Sequence, residues 1–176
     1  MSPSTRLLRH EANLCLAANR WCRTSPVRGY FTRVSRLGDG MIWYLLMAAI
    51  VVIDGYAGLV ASTHMAATGL AALTLYTVLK RWTRRPRPYA SDRRILALVP
   101  ALDEFSFPSG HTLHAVAFST VAIAHYPLLA LLLVPFTLSV ACSRVVLGLH
   151  YPSDVVAATL IALALGSASL WILPVA

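Results

Sequence analysis

Beyond residue 40, the chain alternates between long apolar runs and short polar segments. Each run has about 15 to 22 residues, the length that a helix needs to cross the hydrocarbon core of a bilayer. The five runs are Met41–Val60, Met65–Leu79, 111–125, Leu128–Leu149 and Val155–Leu173. Ser62–His64 separates the first two runs, so we predict a tight turn there. The pattern predicts an all-α membrane protein with about five transmembrane helices in one bundle.

The first 40 residues follow a different pattern, in which apolar and basic positions lie on opposite sides of a helix. At 100° per residue, residues 4–23 place most apolar side chains on one arc and most arginines on the other. A second, shorter amphipathic piece follows Ser25-Pro26 and ends at Gly38. Such helices lie on a membrane surface or cap the protein's own spans, and the two arrangements are compatible. We therefore divide the chain into amphipathic interfacial helices at 1–40 and a membrane-embedded helix bundle at 41–176.

The composition supports the membrane assignment. Hydrophobic residues make up 57% of the chain and charged residues 12%, about half the charged fraction of a typical soluble domain. The net charge of +8 comes almost entirely from arginine. No soluble fold accommodates the apolar runs, which argues against a nucleic-acid partner, whereas juxtamembrane charge and phosphate recognition account for the arginines. We predict an integral multi-pass protein of the plasma (inner) membrane.

Three polar clusters stand at the ends of apolar runs, where charged groups are costly and need a reason. The first contains Lys80, Arg84 and Arg87 at the spacing of one helix face. Pro86 and Pro88 interrupt that helix, so we expect Arg87 to reach in from an extended segment. The neighbouring arginines have the simpler interpretation of charges that anchor a span at the membrane surface: Arg81, Arg85, Arg93 and Arg94.

The second cluster is Pro108-Ser109-Gly110-His111, directly before an apolar helical run. Pro and Ser are typical of helix starts, and Gly lets the backbone approach a ligand closely. Free N–H groups at a helix start bind an oxyanion, aided by the helix dipole. A Ser-Gly-His triplet alone is a weak signal, so its interpretation depends on the other two clusters.

The third cluster runs from Ser143 to Asp154 and contains Arg144 and His150. His150 and Asp154 flank a Tyr-Pro-Ser turn, so Asp154 can begin the next span and face His150. An aspartate bonded to one ring nitrogen fixes the tautomer and leaves the other nitrogen free to attack. A nucleophile, its orienting group and a charge stabiliser are therefore all present in this stretch.

Taken together, the three clusters resemble the signature motifs of the type 2 phosphatidic acid phosphatase superfamily. The matching residues are Lys80-x6-Arg87-Pro88, Pro108-Ser109-Gly110-His111 and Ser143-Arg144-x5-His150-x3-Asp154. That superfamily contains lipid phosphate phosphatases and, more distantly, vanadium haloperoxidases. The resemblance covers roughly residues 40–174 and leaves the N-terminal helices outside.

The resemblance implies a role for each motif residue. His150 would attack phosphorus and form a phosphohistidine, with Asp154 orienting it. His111 would protonate the leaving alkoxide and then activate water. The phosphate oxygens would be held by Lys80, Arg87, Ser109, the Gly110 backbone and Arg144. Three cations with helix-start amides neutralise a transferred phosphoryl group without metal or cofactor, so we expect neither.

The resulting functional prediction is a metal-independent phosphatase of a membrane lipid phosphate. Phosphatidic acid, phosphatidylglycerophosphate, a polyprenyl diphosphate and a polyprenyl-linked sugar phosphate are all compatible substrates. A lipid phosphotransferase that uses the same phosphohistidine is an alternative, and so is a non-enzymatic membrane protein. Vanadate-dependent halide oxidation is disfavoured because those members are soluble. The sequence does not specify an oligomeric state.

The distribution of basic residues bears on the membrane face of the site. All lysines and arginines except Arg144 lie in residues 1–94, on the face that carries the three clusters. The positive-inside rule therefore predicts a cytoplasmic active site. An extracytoplasmic site is the alternative, because many membrane members have six spans and often carry the site outside.

Four further polar residues near the spans have structural interpretations. Asp54, inside the first run, is expected to cap or pair with a neighbouring span. His114 is expected to pack between spans, although one helical turn after His111 it could also line the pocket. Asp103 and Glu104 are expected to lie in a solvated loop, with tuning of His111 or screening of the arginines as the alternative.

Overall fold

A computed structural model describes residues 3–22 and 24–174 of the chain, with side chains from Leu8 onward. The described residues form α-helices joined by turns and loops, so the all-α prediction is confirmed. The helices are α1 (Pro3–Trp21), α2 (Ser25–Leu37), α3 (Met41–Thr83), α4 (Pro88–Ser91), α5 (Gly110–His125), α6 (Ala130–Val146) and α7 (Pro152–Ile172). A short 3₁₀ turn, Pro127–Leu129, precedes α6.

Helix α3 is a hairpin of two arms that reverses at Gly55. Gly55 has φ 56° and ψ −120°, a conformation that side chains with a Cβ rarely adopt. The Ser62 hydroxyl donates a hydrogen bond to the Met47 carbonyl at 3.0 Å. A Cβ at Gly58 would lie 2.2 Å from the Ile50 carbonyl oxygen, so the arms touch just past the turn. The first arm covers 41–54 and the second 56–83.

The predicted turn at Ser62–His64 is therefore wrong, because these residues lie within the second arm. Polarity suggested a break there, but Ser62 and His64 are buried: Ser62 bonds to the first arm of α3 and His64 to Ser169 on α7. The chain reverses at a glycine inside the apolar run, where backbone freedom rather than polarity decides the turn. The first arm is shorter than predicted and the second is longer.

The bundle is arranged around α5, which packs against α3, α6 and α7. Its buried positions include small residues such as Ala115, Ala117 and Ala122, which allow close helix approach. Among the described residues, three stretches are long and apolar enough to cross a membrane: Met41–Ser91, which contains both arms of α3, Pro127–Val146 and Pro152–Ile172. Large apolar side chains such as Ile53, Leu131 and Leu160 face outward from this bundle. The chain is an integral membrane protein.

Helices α1 and α2 pack on the end of the bundle that carries the three polar clusters. Helix α2 contacts α6, and α1 contacts both α6 and α7. Cys15, Leu16 and Cys22 are buried in this contact, whereas Arg9 and Arg20 are exposed. The amphipathic pattern therefore caps the protein's own helices. That residues 1–40 form a domain distinct from the helix bundle stays a prediction.

Polar side chains also pair at the opposite end of the bundle. Asp54, next to the Gly55 turn, accepts a hydrogen bond from the Tyr126 hydroxyl at 2.7 Å. His64 lies between His125, at 3.2 Å, and the Ser169 hydroxyl, at 3.1 Å. Asp54 thus pairs with a neighbouring segment, which is one of the two structural interpretations offered by the sequence.

Candidate active site

The three polar clusters, which are far apart in sequence, meet at one end of the bundle around His150. The His150 ring is buried, and its Nε2 atom accepts a hydrogen bond from Arg87 Nη1 at 3.2 Å. Its Nδ1 atom donates to the Ser106 carbonyl at 2.7 Å. The two contacts together favour the tautomer with the proton on Nδ1 and the lone pair on Nε2. The lone pair therefore points toward a cation.

Asp154 is fully buried beside His150, but it does not accept the hydrogen bond that the sequence predicted. Its Oδ2 atom lies 3.6 Å from His150 Nδ1 and accepts a 2.8 Å bond from the Tyr151 N–H. The Ser106 carbonyl takes the ring proton instead. Asp154 thus closes the turn through the backbone and acts on the imidazole as a nearby charge. The prediction that the two side chains lie together holds, whereas the direct bond does not.

The charge state of His150 follows from its surroundings. Burial lowers the pKa of His150 well below its ordinary value, and the positive charges of Arg144, Arg87 and Lys80 lower it further. Three cations and a dry environment both disfavour a second ring proton. The ring is therefore neutral at pH 7, as an attacking nitrogen requires.

Arg87 reaches the site from the extended segment that Pro86 and Pro88 impose. Its backbone has φ −76° and ψ 155°. Besides the bond to His150, its guanidinium donates to the carbonyls of Leu149, at 2.9 Å, and Asp103, at 3.1 Å. The planar fork of arginine is thereby held in one orientation, with 2% of the side chain exposed.

Lys80 and Arg144 supply the other two predicted cations, and both are buried. Lys80 Nζ donates to the Phe105 carbonyl at 2.7 Å. Arg144 Nη1 donates to the Ser35 hydroxyl of α2. The Arg144 Nε atom is buried without a hydrogen-bond partner among the described residues, so one strong donor is available to an anion.

Ser109, Gly110 and His111 form the start of α5 as predicted. Ser109 is the N-cap residue, with φ −71° and ψ 107°, and its hydroxyl bonds to the Thr112 hydroxyl at 3.0 Å. Its N–H donates to the Asp154 carbonyl at 3.2 Å, which ties the second cluster to the third. Gly110 and His111 line a cavity of about 460 Å³.

Comparison with known proteins identifies the family of this chain. The sequence profile of the PAP2 superfamily matches residues 55–175, which contain all three clusters. The chain belongs to the PAP2 superfamily.

Curated PAP2 relatives match shorter parts of the chain. Undecaprenyl-diphosphatase BcrC of Bacillus subtilis (strain 168) is 32% identical over 99 residues, which is 56% of this chain and 51% of that protein. Phosphatidylglycerophosphatase B of Escherichia coli (strain K12) is 37% identical over 73 residues, 39% of this chain and 29% of that protein. Decaprenylphosphoryl-5-phosphoribose phosphatase of Mycolicibacterium smegmatis is 42% identical over 82 residues, 45% and 42% of the two chains. Each match spans about half of the relative's length or less.

Solved PAP2 structures resemble the whole fold. The transmembrane PAP2-type phosphatidylglycerolphosphate phosphatase from Bacillus subtilis superposes with a TM-score of 0.77 at 24% identity. That match covers 95% of this chain and 86% of the other. LpxE from Aquifex aeolicus superposes with a TM-score of 0.78 at 25% identity, over 90% and 93% of the two chains. These structures share the helical architecture of this chain.

Two acidic residues that sequence reasoning missed lie outside the part of the chain matched to PAP2. Asp39, just before α3, bonds through Oδ1 to His111 Nε2. Glu11, on α1, is buried and accepts from the Ser153 N–H at 3.1 Å. Neither position carries a sequence signal, because only tertiary contacts connect residues 1–40 to the motifs.

Arg85 was interpreted as a surface anchor, and this interpretation is wrong. Its guanidinium donates to Asp154 Oδ1 at 2.6 Å, to the Ser153 hydroxyl at 2.7 Å and to Glu11 Oε2 at 2.7 Å. It also lies over the Tyr151 ring, 4.2 Å from the centroid. One cation thus neutralises two buried carboxylates and connects α1 to the turn after His150.

Replacing Arg85 with methionine is expected to destabilise the protein by about 3 kcal/mol, because Glu11 and Asp154 would then be buried without a cation. Thermal unfolding in detergent micelles measures this effect. Arg84→Met is the matched control, since Arg84 is exposed and, among the described contacts, its side chain donates only to the Arg81 carbonyl. Equal melting of the two variants would contradict a structural role for the Arg85 pairs.

The cavity begins at the His111 side of the site and continues into an apolar groove between the arms of α3, whereas His150 is buried behind it and is not among the residues that line it. Asp39, Asp103 and His111 line its polar end. The apolar part runs between Trp43 on the first arm and Leu70 on the second, which is exposed at the outer surface of the bundle. His114 lines the cavity and bonds through Nδ1 to the Gly110 carbonyl at 2.9 Å. Both interpretations of His114, cavity lining and span packing, therefore apply.

Asp103 is not simply a solvated loop residue, because its carboxylate forms ion pairs with both Lys80 and Arg87. Screening of the basic cluster was the alternative interpretation from the sequence, and the contacts favour it.

Among the residues that the structure describes, no group of three or more His, Cys, Asp and Glu side chains is arranged to hold a metal ion.

Proposed function

We propose that this protein is a metal-independent phosphatase of membrane lipid phosphates that works through a phosphohistidine. The observation that carries the proposal is the environment of His150: a buried neutral imidazole, with Nδ1 bonded to a carbonyl and Nε2 facing Arg87. A nitrogen lone pair beside a guanidinium is suited to attack a phosphorus atom whose oxygens that guanidinium binds.

In the first step, His150 Nε2 forms a bond to phosphorus, and the bond from phosphorus to the lipid oxygen breaks. The leaving oxygen takes a proton from His111, at the polar end of the cavity. Lys80, Arg87 and Arg144 balance the charge on the transferred oxygens, together with Ser109 and the Gly110 N–H at the start of α5. Asp154 stabilises the ring while it carries the phosphoryl group.

In the second step, a water molecule attacks the phosphohistidine. His111 accepts a proton from that water, the nitrogen–phosphorus bond breaks, and inorganic phosphate leaves. His150 returns to the neutral tautomer that the Ser106 carbonyl favours. Every group needed for this cycle is a side chain or a backbone amide of the protein, so we expect no requirement for metal.

A lipid substrate follows from the position of the cavity. Its polar end meets the site, and its apolar part opens between the α3 arms toward the outward-facing surface of the bundle. A lipid tail can stay in the groove while the phosphate enters the site. The relatives named above as phosphatases of undecaprenyl diphosphate, phosphatidylglycerophosphate and decaprenylphosphoryl phosphoribose support this substrate class.

The face of the membrane is part of the proposal. Helices α1 and α2, with their arginines, pack over the end of the bundle that carries the site. Because this end holds nearly all the positive charge, the positive-inside rule supports a cytoplasmic site in the plasma membrane.

Purified full-length protein in detergent micelles, with a metal chelator present, is expected to release phosphate from at least one lipid of a defined panel. The panel contains phosphatidic acid, phosphatidylglycerophosphate, a polyprenyl diphosphate and a polyprenyl-linked sugar phosphate. Transfer of the phosphoryl group to an added alcohol in place of water would identify a phosphotransferase. No turnover on any lipid, with or without metal, would contradict the proposed function.

A further inference from the structure

Asp103 covers the two cations of the first motif. Its Oδ1 atom accepts from Lys80 Nζ at 2.6 Å and from Arg87 Nη2 at 2.8 Å. Its own carbonyl accepts from Arg87 Nε at 3.1 Å, and the Phe105 carbonyl accepts from Lys80 at 2.7 Å. One carboxylate oxygen therefore lies where the proposed function places a phosphate oxygen.

The three groups differ in their freedom to move. The Lys80 and Arg87 side chains are 6% and 2% exposed, whereas the Asp103 side chain is 38% exposed and lines the cavity. Asp103 also lies in a segment of bends between Pro100 and Pro108, outside any helix. An incoming anion can displace the carboxylate toward solvent while both cations stay in place.

Asp103 is ionised at neutral pH. Burial acts to raise its pKa, but the hydrogen bond and charge of Lys80 and the charge of Arg87 together outweigh burial, so its pKa lies below the ordinary value. A ligand that binds Lys80 and Arg87 through the same contacts must therefore compete with a full negative charge.

We infer that Asp103 competes with the ligand for Lys80 and Arg87, so that only phosphate groups with two or more negative charges gain energy by displacing it. A phosphodiester headgroup carries one negative charge, so exchanging it for the carboxylate leaves the balance around Lys80 and Arg87 unchanged. A phosphomonoester carries about 1.5 to 2 negative charges near pH 7, and a diphosphate carries more, so their exchange gains electrostatic energy. Most membrane phospholipids are diesters and surround the site in large excess.

The inference deepens the proposed function and rests on it, because it takes Lys80 and Arg87 as phosphate ligands. Under it, Asp103 is a specificity-determining residue that rejects phosphodiester lipids by charge. A purely steric pocket would reject the second ester group whatever residue stood at position 103. The effect of Asp103→Asn on the binding of a phosphodiester therefore distinguishes the two explanations.

Calorimetric titration of full-length protein in micelles, with chelator at about pH 8.5, tests the inference without turnover. Inorganic phosphate is the dianionic probe at this pH, and dimethyl phosphate is the monoanionic diester probe. Wild-type protein is expected to prefer phosphate strongly. Asp103→Asn is expected to tighten binding of dimethyl phosphate, and likewise of phosphate, by about tenfold or more, because no carboxylate then has to be displaced from Lys80 and Arg87.

Glu104→Gln is the matched control, because Glu104 is exposed, adjacent in the same loop, and forms no ion pair with the side chains that the structure describes. Its binding of dimethyl phosphate is expected to equal that of the wild type. Asp103→Ser serves as a second variant if Asp103→Asn does not fold, with melting temperature as the check on both.

Unchanged dimethyl phosphate binding in the Asp103 variants would overturn the inference and leave the proposed function standing. Loss of phosphate binding in those variants would also overturn it. Asp103 would then be needed to hold the phosphate-binding groups in place, and it would not compete with the ligand. If neither the wild type nor any variant binds phosphate, the proposed function fails and the inference fails with it.

Discussion

Replacing His150 with alanine is expected to reduce phosphate release by at least about 10⁴-fold, the scale seen when a covalent nucleophile is removed. The ring is buried, and its Nε2 atom faces Arg87. No other described imidazole has both nitrogens directed by a carbonyl and a guanidinium in this way. Phosphate release from the best lipid of the panel measures the effect.

His10→Ala is the matched control for His150→Ala, because His10 is exposed on α1. It is expected to keep wild-type activity. A complementary variant is His111→Asn, which is expected to slow both steps, because His111 protonates the leaving oxygen and then activates water. Substantial turnover by His150→Ala would show that another group attacks phosphorus.

The second large effect is expected for Arg87→Lys, which keeps the positive charge but removes the planar guanidinium group and its several N–H donors. We expect a loss of about 10²- to 10³-fold in kcat/KM, because one ammonium group replaces the several directed donors of the guanidinium. Arg87 contacts Asp103, Leu149 and His150 through three different nitrogen atoms. A lysine at this position cannot reproduce all of these contacts, so charge alone is not expected to restore the rate.

Arg81→Lys is the corresponding control, since Arg81 is exposed near the end of α3 and outside the site. Steady-state kinetics on the same lipid, with melting temperatures for both variants, separate catalysis from folding. Near-normal kinetics for Arg87→Lys would indicate that the site requires only positive charge at this position.

The structure assigns a larger part to the N-terminal helices than their sequence suggested. Glu11 joins the turn after His150 through Arg85, and Ser35 contacts Arg144. Asp39 contacts His111. The PAP2 match begins at residue 55, yet residues before it contact groups in all three clusters.

The sequence predicted the helical class and the grouping of the three motifs, because these depend on local features. Apolar runs of membrane-spanning length leave few alternatives to helices, since backbone groups in lipid must bond within their own segment. Pro86 and Pro88 predicted the extended entry of Arg87, and Ser109-Gly110 predicted the start of α5, for equally local reasons.

The position of the α3 turn was not predictable from polarity. Gly55 lies inside an apolar run, while the polar Ser62 and His64 find partners on other segments and stay helical. A turn inside a hydrophobic segment depends on backbone freedom at one glycine and on contact between the arms at Gly58. Neither property produces a periodic pattern.

By itself, the sequence determined which residue types this protein brings to its candidate site and next to which helix ends they lie. Only the tertiary structure decided how they are paired: the Ser106 carbonyl on His150, Arg85 between Glu11 and Asp154, and Asp103 on Lys80 and Arg87. The physical reason is that local patterns determine helices and their ends. The partner of a buried charge, in contrast, depends on which distant segment approaches within about 3 Å once the helices have packed.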